Sequence, residues 1–460
     1  MYKNNYKFLI TKNIFTTFFH YFMRVAIPIN WNLDASSLTN IARNTFREMG
    51  KIMNETKSFT ISATRLESIS VGDFNQHFDL VHIPNIGGYK FPLNATSSCK
   101  NIICGLVGID EVIYGKDVLV WKQSWITVEP LIKKELEYWK KYNHKIKFFH
   151  VGTPSEYEEM HKYLKIPYEK IKITPLGINH EFFKPSTNKE YTRNQVLSQL
   201  NIPNEKYFLH ISEINFVRKN QLRLAEAFQI ARKSGLKHNL IIAGKHLPQI
   251  EKKISHIPGI FLLDWVTNEQ LLHLIQGSDA FILPSIHEGF GIPLVESMCC
   301  GIPCITSKNH SPPHIISDAG ILVDPYNVSE ISNAMLTLAK NPTKLKELSQ
   351  KSLNRSKFFS WKKFAQQIFE LYKIDSTKKM NDFDIHYDLA GYRTLVTVCD
   401  TFPDKEHSLL LSLLKFDYTK LLAWAVEYGL NNSKTKDFLI PFEDWIHEKL
   451  EIRQKSDEIK

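Results

Sequence analysis

The sequence predicts an α/β protein with two parallel-sheet domains that face a cleft, followed by a helical C-terminal appendage. Along residues 23–372, short apolar runs alternate with longer amphipathic segments, which is the pattern of repeated strand–helix units. A polar stretch near residue 186 interrupts this alternation and divides it into two blocks. After residue 374 the strand-like runs end and helical patterns follow.

These changes in pattern divide the chain into four predicted regions. The first is basic and aromatic, and Lys12 interrupts its apolar part, so it is a poor signal peptide. It is either a dispensable extension or a weak membrane-touching arm. For the last region we expect a packing or partner-binding role, because none of its residue patterns carries chemistry. The regions are an N-terminal extension (1–22), an N-terminal domain (23–185), a C-terminal domain (186–374) and a helical C-terminal extension (375–460).

The elements of both domains follow from their apolar patterns. In the N-terminal domain, buried strands are predicted at RVAIPI, FDLVHIP, NIICGLVGI, IKFFHVG and KITPLGI, and helices at SSLTNIARNTFREMGKI and EPLIKKELEYWKKY. In the C-terminal domain, strands are predicted at YFLHIS, NLIIAG, AFILP, CIT and AGILVDP. Thr267 and Gln270 have the spacing of a capping box at a helix start, and Gly235 is typical of a helix end. Repeated units of this kind predict two Rossmann-like domains.

Composition narrows the class of protein. The chain has 460 residues, of which 43% are hydrophobic and 23% are charged, as in ordinary globular proteins. No apolar run reaches about 18 residues, so no transmembrane helix is predicted. The six cysteines form neither a disulfide framework nor a zinc pattern, which fits a cytoplasmic protein. The net charge of +10 favours anionic partners or simply a solvated basic surface. The basic residues are spread along the chain rather than clustered, which argues against nucleic-acid binding.

Two glutamates flank a glycine-rich turn in the segment PSIHEGFGIPLVES. A predicted strand precedes it, Gly289 and Gly291 relax the backbone, and a helix follows. Such strand–helix junctions bind anionic ligands, because free N–H groups and the helix dipole point out of the sheet. Glu296, in the first turn of the helix, can accept the hydroxyls of a ribose, and Glu288 can contact a sugar ring or a reacting centre. Alternatively, Glu296 only complements the helix dipole and Glu288 is exposed.

A basic pair follows another predicted strand. In ISEINFVRKNQL, Arg218 and Lys219 lie between that strand and the next helix, so we expect them at the same edge of the sheet as the glutamates. There Arg218 offers a two-point fork and Lys219 a compact charge to a diphosphate. The alternative is a solvated basic pair.

The segment AFILPSIHEGFGIPLVESMCCGIPCITS resembles the signature of retaining glycosyltransferases of the GT-B fold, family four, or glycosyl transferases group 1. The resemblance extends to TPLGINHEFFKP, LLHLIQGSDA and AGILVDP, and covers roughly residues 23–372, strongly in the second half and loosely in the first. It implies transfer of a hexose-type sugar, with retention, from a nucleotide-diphosphate sugar to a glycan, lipid-linked or small-molecule acceptor. It also implies that neither a metal nor another cofactor is needed.

The resemblance implies roles for particular residues. Glu288, Lys219 and Arg218 are expected to be catalytic, with the two cations on the diphosphate and the glutamate at the transferred sugar. Donor binding is expected at Glu296, Gly289, Phe290, Gly291, Ile292, Asp110, Gly87 and Gly88.

The N-terminal domain departs from the family pattern. The histidine that many members carry is absent from GLVGIDEV, where Asp110 is either a substitute for it or a helix N-cap. Gly87 and Gly88 follow a later strand than the glycine pair of the family. His314 stands where relatives often have glutamate, and it is either a contact to the base or diphosphate or a plain surface histidine.

Two other functions remain open at this point. A non-catalytic or weakly catalytic nucleotide-sugar-binding protein would fit the missing histidine, and a GT-B epimerase or phosphorylase would fit the fold. Peripheral contact with an anionic membrane is expected as well, since many relatives glycosylate lipid-linked acceptors.

Overall fold

The computed structural model describes nine stretches of the chain. They are residues 23–28, 37–56, 59–64, 78–87, 90–92, 101–115, 125–212, 217–244 and 248–373. The predicted extensions at 1–22 and 375–460 lie outside them. Within the described part, no helix is long and apolar enough to cross a membrane.

The N-terminal sheet has six parallel strands in the described residues, in the order β2-β1-β3-β4-β5-β6. The order reverses between β1 and β3, which makes that point the switch point of the sheet. Its strands are β1 (Met23–Pro28), β2 (Phe59–Thr64), β3 (Leu80–Gly87), β4 (Ile102–Val107), β5 (Phe148–Val151) and β6 (Ile171–Ile173). Its helices are α1 (Ser37–Thr56), α2 (Asp110–Tyr114), α3 (Trp125–Tyr142) and α4 (Pro154–Leu164).

The C-terminal sheet also has six parallel strands in the described residues, in the order β12-β11-β10-β7-β8-β9. This is the strand order of a Rossmann sheet, and its switch point lies between β7 and β10. The strands are β7 (Tyr207–Ile211), β8 (Asn239–Ala243), β9 (Ile260–Leu263), β10 (Ala280–Leu283), β11 (Cys304–Ser307) and β12 (Gly320–Val323). The helices are α5 (Lys189–Gln199), α6 (Gln221–Lys233), α7 (Pro248–Ile254), α8 (Asn268–Gly277), α9 (Ile292–Cys299), α10 (Pro312–Ile316), α11 (Val328–Lys340), α12 (Pro342–Ser356) and α13 (Trp361–Lys373).

The prediction of two parallel-sheet domains is confirmed, and so are several local signals. Thr267 and Gln270 form both hydrogen bonds of a capping box at the start of α8. Gly235 follows the end of α6 with φ +93°, and Gly291 precedes α9 with φ +90°. Both glycines adopt the left-handed region, which costs residues with a Cβ more.

Helix α13 crosses back to the N-terminal domain and packs against α1. The Tyr372 hydroxyl lies 2.8 Å from Nδ1 of the buried His82, and the rings of Phe369 and Phe59 have centroids 5.2 Å apart. The helix lies within the sequence range predicted for the C-terminal domain, but its apolar face completes the core of the other domain.

Candidate active site

The basic pair and Glu288 meet at the switch point of the C-terminal sheet. A short 3₁₀ turn at Val217–Lys219 follows β7, and the loop that carries Glu288 follows β10, the neighbouring strand. Nζ of Lys219 lies 2.6 Å from Oε1 of Glu288, although 69 residues separate them in the chain. The Arg218 guanidinium lies 3.6 Å from the other carboxylate oxygen. The parallel register brings these groups together, because both loops leave the carboxyl edge of the sheet.

The charges of this group depend on one another. Glu288 is only 6% exposed, and burial alone would raise its pKa. The Lys219 ammonium and the Arg218 guanidinium outweigh burial and lower the pKa of Glu288 to about 2. Burial in turn lowers the pKa of Lys219, while Glu288 opposes that shift. The site therefore holds an ionised carboxylate beside cations whose hydration is largely lost.

Asp110 of the N-terminal domain reaches across to the same group. Its carboxylate lies 2.9 Å from Nε of Arg218, and the residue is buried. The alternative that Asp110 is a helix N-cap is wrong. Ile109 occupies the cap position, and Asp110 is the first residue of α2. A carboxylate thus stands where the family histidine was missing, and it engages a cation.

The glycine-rich loop lies close against the N-terminal domain. A Cβ on Gly289 would lie 3.0 Å from the amide nitrogen of Gly108 and 3.1 Å from a carboxylate oxygen of Glu156. The Phe290 ring is buried, and a Cβ on Gly152 would lie 2.5 Å from it. Its aromatic side chain therefore packs in the interface between the domains. Ile292 begins α9 and packs against the core.

Glu296 is the fifth residue of α9, one turn further along than the sequence predicted. A helix dipole acts mainly within the first turn, so the alternative of simple dipole complementation loses support. The side chain is partly exposed, and burial raises the pKa of Glu296 to about 7.

The other predicted positions are only partly placed. Gly87 is the last residue of β3 and pairs with Val107 of β4, whereas Gly88 lies outside the described residues. His314 lies in α10, where its carbonyl accepts a hydrogen bond from Arg355 at 2.6 Å. Partial burial and the positive charge of Arg355 lower the pKa of the His314 side chain.

Sequence reasoning missed Glu156, which lies near the glycine-rich loop. It follows β5 in α4 and is 1% exposed, and Oε2 accepts a hydrogen bond from the amide of Gly152 at 2.9 Å. Burial and the nearby Glu159 raise its pKa well above the usual range. The signal that could have revealed it is its place just after a predicted strand, at the carboxyl edge of the sheet.

The family model described as Glycosyl transferases group 1 matches residues 193–355, which include the basic pair and both glutamates. This part of the chain is therefore similar to the group 1 glycosyl transferases. The matched region contains all six described strands of the C-terminal sheet. It begins inside α5, so the first residues of that helix precede the match. The resemblance drawn from the glutamate motif is therefore confirmed.

Curated relatives match about half of this chain. O-antigen chain mannosyltransferase B of Escherichia coli is 28% identical over 223 residues, which is 47% of this chain and 58% of the relative. MMP alpha-(1->4)-mannosyltransferase of Mycolicibacterium hassiacum is 25% identical over 212 residues, which is 45% of this chain and 48% of the relative. The chain thus spans only about half the length of these curated relatives.

Solved structures show the GT-B fold over a larger part of the chain. HepE from Anabaena, solved in complex with UDP and glucose, has a TM-score of 0.58 and 13% identity. The match covers 76% of this chain and 100% of HepE. Sucrose-phosphate synthase from Thermosynechococcus elongatus has a TM-score of 0.57 and 15% identity, and the match covers 76% of this chain and 98% of the synthase. The predicted GT-B architecture is confirmed.

Proposed function

We propose that this protein transfers a hexose-type sugar, with retention, from a nucleotide-diphosphate sugar to a glycan, lipid-linked or small-molecule acceptor. One observation carries the proposal: Lys219 and Arg218 meet Glu288 at the switch point between β7 and β10. Dinucleotides and mononucleotides bind at such points, with their phosphates at the strand–helix junctions.

The cations fit the leaving diphosphate. Cleavage of the bond between the sugar and the phosphate builds negative charge on the diphosphate, which fixed cations stabilise. Lys219 and Arg218 lie side by side and are already ordered by their carboxylate partners. When a diphosphate enters the cleft, its oxygens replace some of the carboxylate oxygens that contact Lys219 and Arg218.

Glu288 fits the sugar side of the reaction. The transferred carbon gains oxocarbenium character, and a carboxylate that stays ionised can stabilise it, as carboxylates do in glycosidases. The low pKa of Glu288 keeps it charged throughout the pH range of enzymes. Glu296 is assigned to the ribose hydroxyls. The departing phosphate can accept the proton of the acceptor hydroxyl, so these steps require no metal.

The names of the relatives suggest which sugars to test first. Two of the relatives described above are mannosyltransferases, and HepE was solved with UDP and glucose. We therefore place mannose and glucose donors at the head of the panel. We also propose that the acceptor is a glycan, a lipid-linked sugar or a small molecule. A basic surface of the protein would contact an anionic membrane when the acceptor is lipid-linked.

The test is hydrolysis and transfer from a panel of UDP-, GDP- and ADP-sugars by the full chain. We expect one donor to release its nucleoside diphosphate faster than the others, and the product linkage to keep the anomeric configuration of the donor when read by NMR. Inversion at the anomeric carbon would contradict retention. Donor binding without turnover against a broad set of acceptors would favour the non-catalytic alternative.

A further inference from the structure

Three side chains from both domains form a compact cluster beside the cleft: Glu159, His287 and His310, here called the Glu-His-His cluster. Glu159 lies on α4, His287 precedes Glu288 in the loop after β10, and His310 lies between β11 and α10. Nδ1 of His310 lies 2.7 Å from Oε1 of Glu159. Nε2 of His287 lies 3.2 Å from both Glu159 oxygens.

We propose that the Glu-His-His cluster binds a divalent transition metal, with Zn²⁺ as the best match, as a link between the two domains. One carboxylate oxygen and two imidazole nitrogens lie within 4.8 Å of one another. Zn²⁺ binds such atoms at about 2.0–2.2 Å in a tetrahedron, which places neighbouring ligand atoms roughly 3.4 Å apart. The 3.2 Å separation of His287 from Glu159 is close to that spacing, and the 2.7 Å separation of His310 from Glu159 needs a small outward shift.

The surroundings of the cluster match those of metal-binding histidines. Nε2 of His310 lies 2.5 Å from the Tyr114 hydroxyl. With a metal on Nδ1, the Nε2–H group donates to that hydroxyl oxygen and fixes the ring, as the outer contacts of ligating histidines usually do. Metal binding replaces the proton that Nδ1 shares with Glu159.

The charge around the cluster also favours a cation. The side chains of Glu111 and Glu156 each have one buried oxygen without a hydrogen-bond partner among the described residues. Burial and Asp110 raise the pKa of Glu111, and burial and Glu159 raise the pKa of Glu156. The carboxylates here thus repel one another, while Arg218 and Lys219 are engaged by Asp110 and Glu288. A dication lowers this repulsion.

Metal content of the purified full chain tests the proposal. The protein is stripped with a chelator, incubated with one equivalent of Zn²⁺, desalted and analysed for bound metal. We expect about one Zn²⁺ per chain in the wild type and in His314→Ala, which removes a nearby histidine outside the cluster. We expect at least about tenfold weaker retention in His310→Ala, His287→Ala and the size-conserving Glu159→Gln, because each removes one of three protein ligands.

Two further measurements keep folding separate from metal binding. Co²⁺ in place of Zn²⁺ should give the intense visible absorption of a tetrahedral site in the wild type and lose it in His310→Ala. Zn²⁺ should raise the Tm of the wild type and not that of His310→Ala, whose circular dichroism reports whether it folds. If the wild type retains no Zn²⁺, or no more than the His287→Ala/His310→Ala double variant, the cluster is a hydrogen-bonded contact between domains and the proposal is wrong. Neither readout depends on sugar transfer.

Discussion

Lys219 has the most demanding electrostatic position of the predicted catalytic residues. Its ammonium is largely buried and is held by one ionised carboxylate. We predict that Lys219→Ala lowers kcat/KM for sugar transfer by about 10²–10³-fold, since removal of one group that stabilises transition-state charge commonly costs that much. Steady-state kinetics with the best donor of the panel measures the effect.

The control for this variant lies on the neighbouring helix. Lys233 is exposed at the end of α6, so Lys233→Ala should leave kcat/KM nearly unchanged. Loss of Lys219 also leaves Glu288 buried without its nearest cation, at a cost of about 3–5 kcal/mol of stability. Thermal melts must therefore show that the variant is folded at the assay temperature. Wild-type kinetics in a folded Lys219→Ala would remove this residue from the site.

The raised pKa of Glu296 predicts a pH dependence of donor binding. Burial raises its pKa to about 7, so the carboxyl is neutral below that pH and ionised above it. Ribose hydroxyls donate hydrogen bonds to the ionised carboxylate, so donor affinity should rise between about pH 6 and about pH 8. Below the pKa of Glu296 the rise should be at most about tenfold per pH unit. Calorimetric titration with a nucleoside diphosphate measures it.

Glu296→Gln is the matched variant for that titration. The amide keeps the size of the side chain and does not titrate, so this contribution to the pH dependence should vanish while affinity falls to the acid-side value of the wild type. An unchanged pH profile in Glu296→Gln would show that another group governs the dependence.

At the scale of the elements, the apolar runs of the sequence predicted the described strands except β2 and β9. The missed β2 reads FTISAT, with polar residues at every second position. Among the described residues it pairs only with β1 and forms the edge of its sheet, so it lacks the all-apolar pattern of an inner strand. The site loops were predictable because glycine and the charged residues follow recognisable strands. The packing of α13 was not, because an amphipathic helix does not reveal which domain its apolar face covers.

Gly177 allows the chain to approach the start of α13. A Cβ at this position would lie 2.1 Å from the backbone nitrogen of Trp361, and backbone cannot yield as a side chain can. We predict that Gly177→Ala destabilises the protein by about 3 kcal/mol or more, as expected for overpacking against a fixed backbone. The free energy of unfolding in urea measures the change.

Gly50 provides the comparison. It lies inside α1, the helix that α13 covers, and among the described residues a Cβ there would meet only a methyl group of Ile61 at 3.6 Å. Because alanine favours helix over glycine by about 1 kcal/mol, Gly50→Ala should be neutral or stabilising. Equal stabilities for Gly177→Ala and the wild type would show that α13 does not depend on this approach.

At the scale of the whole molecule, contacts across the cleft hold the two domains together. The hydroxyls of Thr153 and Ser311 lie 2.7 Å apart, and Ser155 donates to the carbonyl of His310 at 2.8 Å. The sequence predicted a cleft and most of its charged residues, but not these pairs. Contacts between domains depend on their relative placement, which no local pattern records.

The Asp110–Arg218 ion pair is the cross-cleft contact that can be removed most cleanly. A charged hydrogen bond of this kind contributes about 1.5–3 kcal/mol, so Asp110→Asn should shift the balance of closed and open domains by about 10-fold or more toward open. Small-angle X-ray scattering of the ligand-free protein should show a larger radius of gyration. Asp318→Asn, which removes a surface ion pair with Lys351, should leave it unchanged. A radius equal to that of the wild type would mean that the remaining contacts suffice.

The two segments that connect the domains are joined to each other. Ile178 and Ser360 form a parallel bridge, and Nε2 of His180 lies 2.7 Å from the carbonyl oxygen of Phe359. Because both crossings are fixed at one place, the domains can swing about a single hinge line but cannot twist or drift apart independently. A protease cut in one crossing would leave the other intact, so the two domains would stay connected. Their relative motion would no longer be restricted to that hinge line.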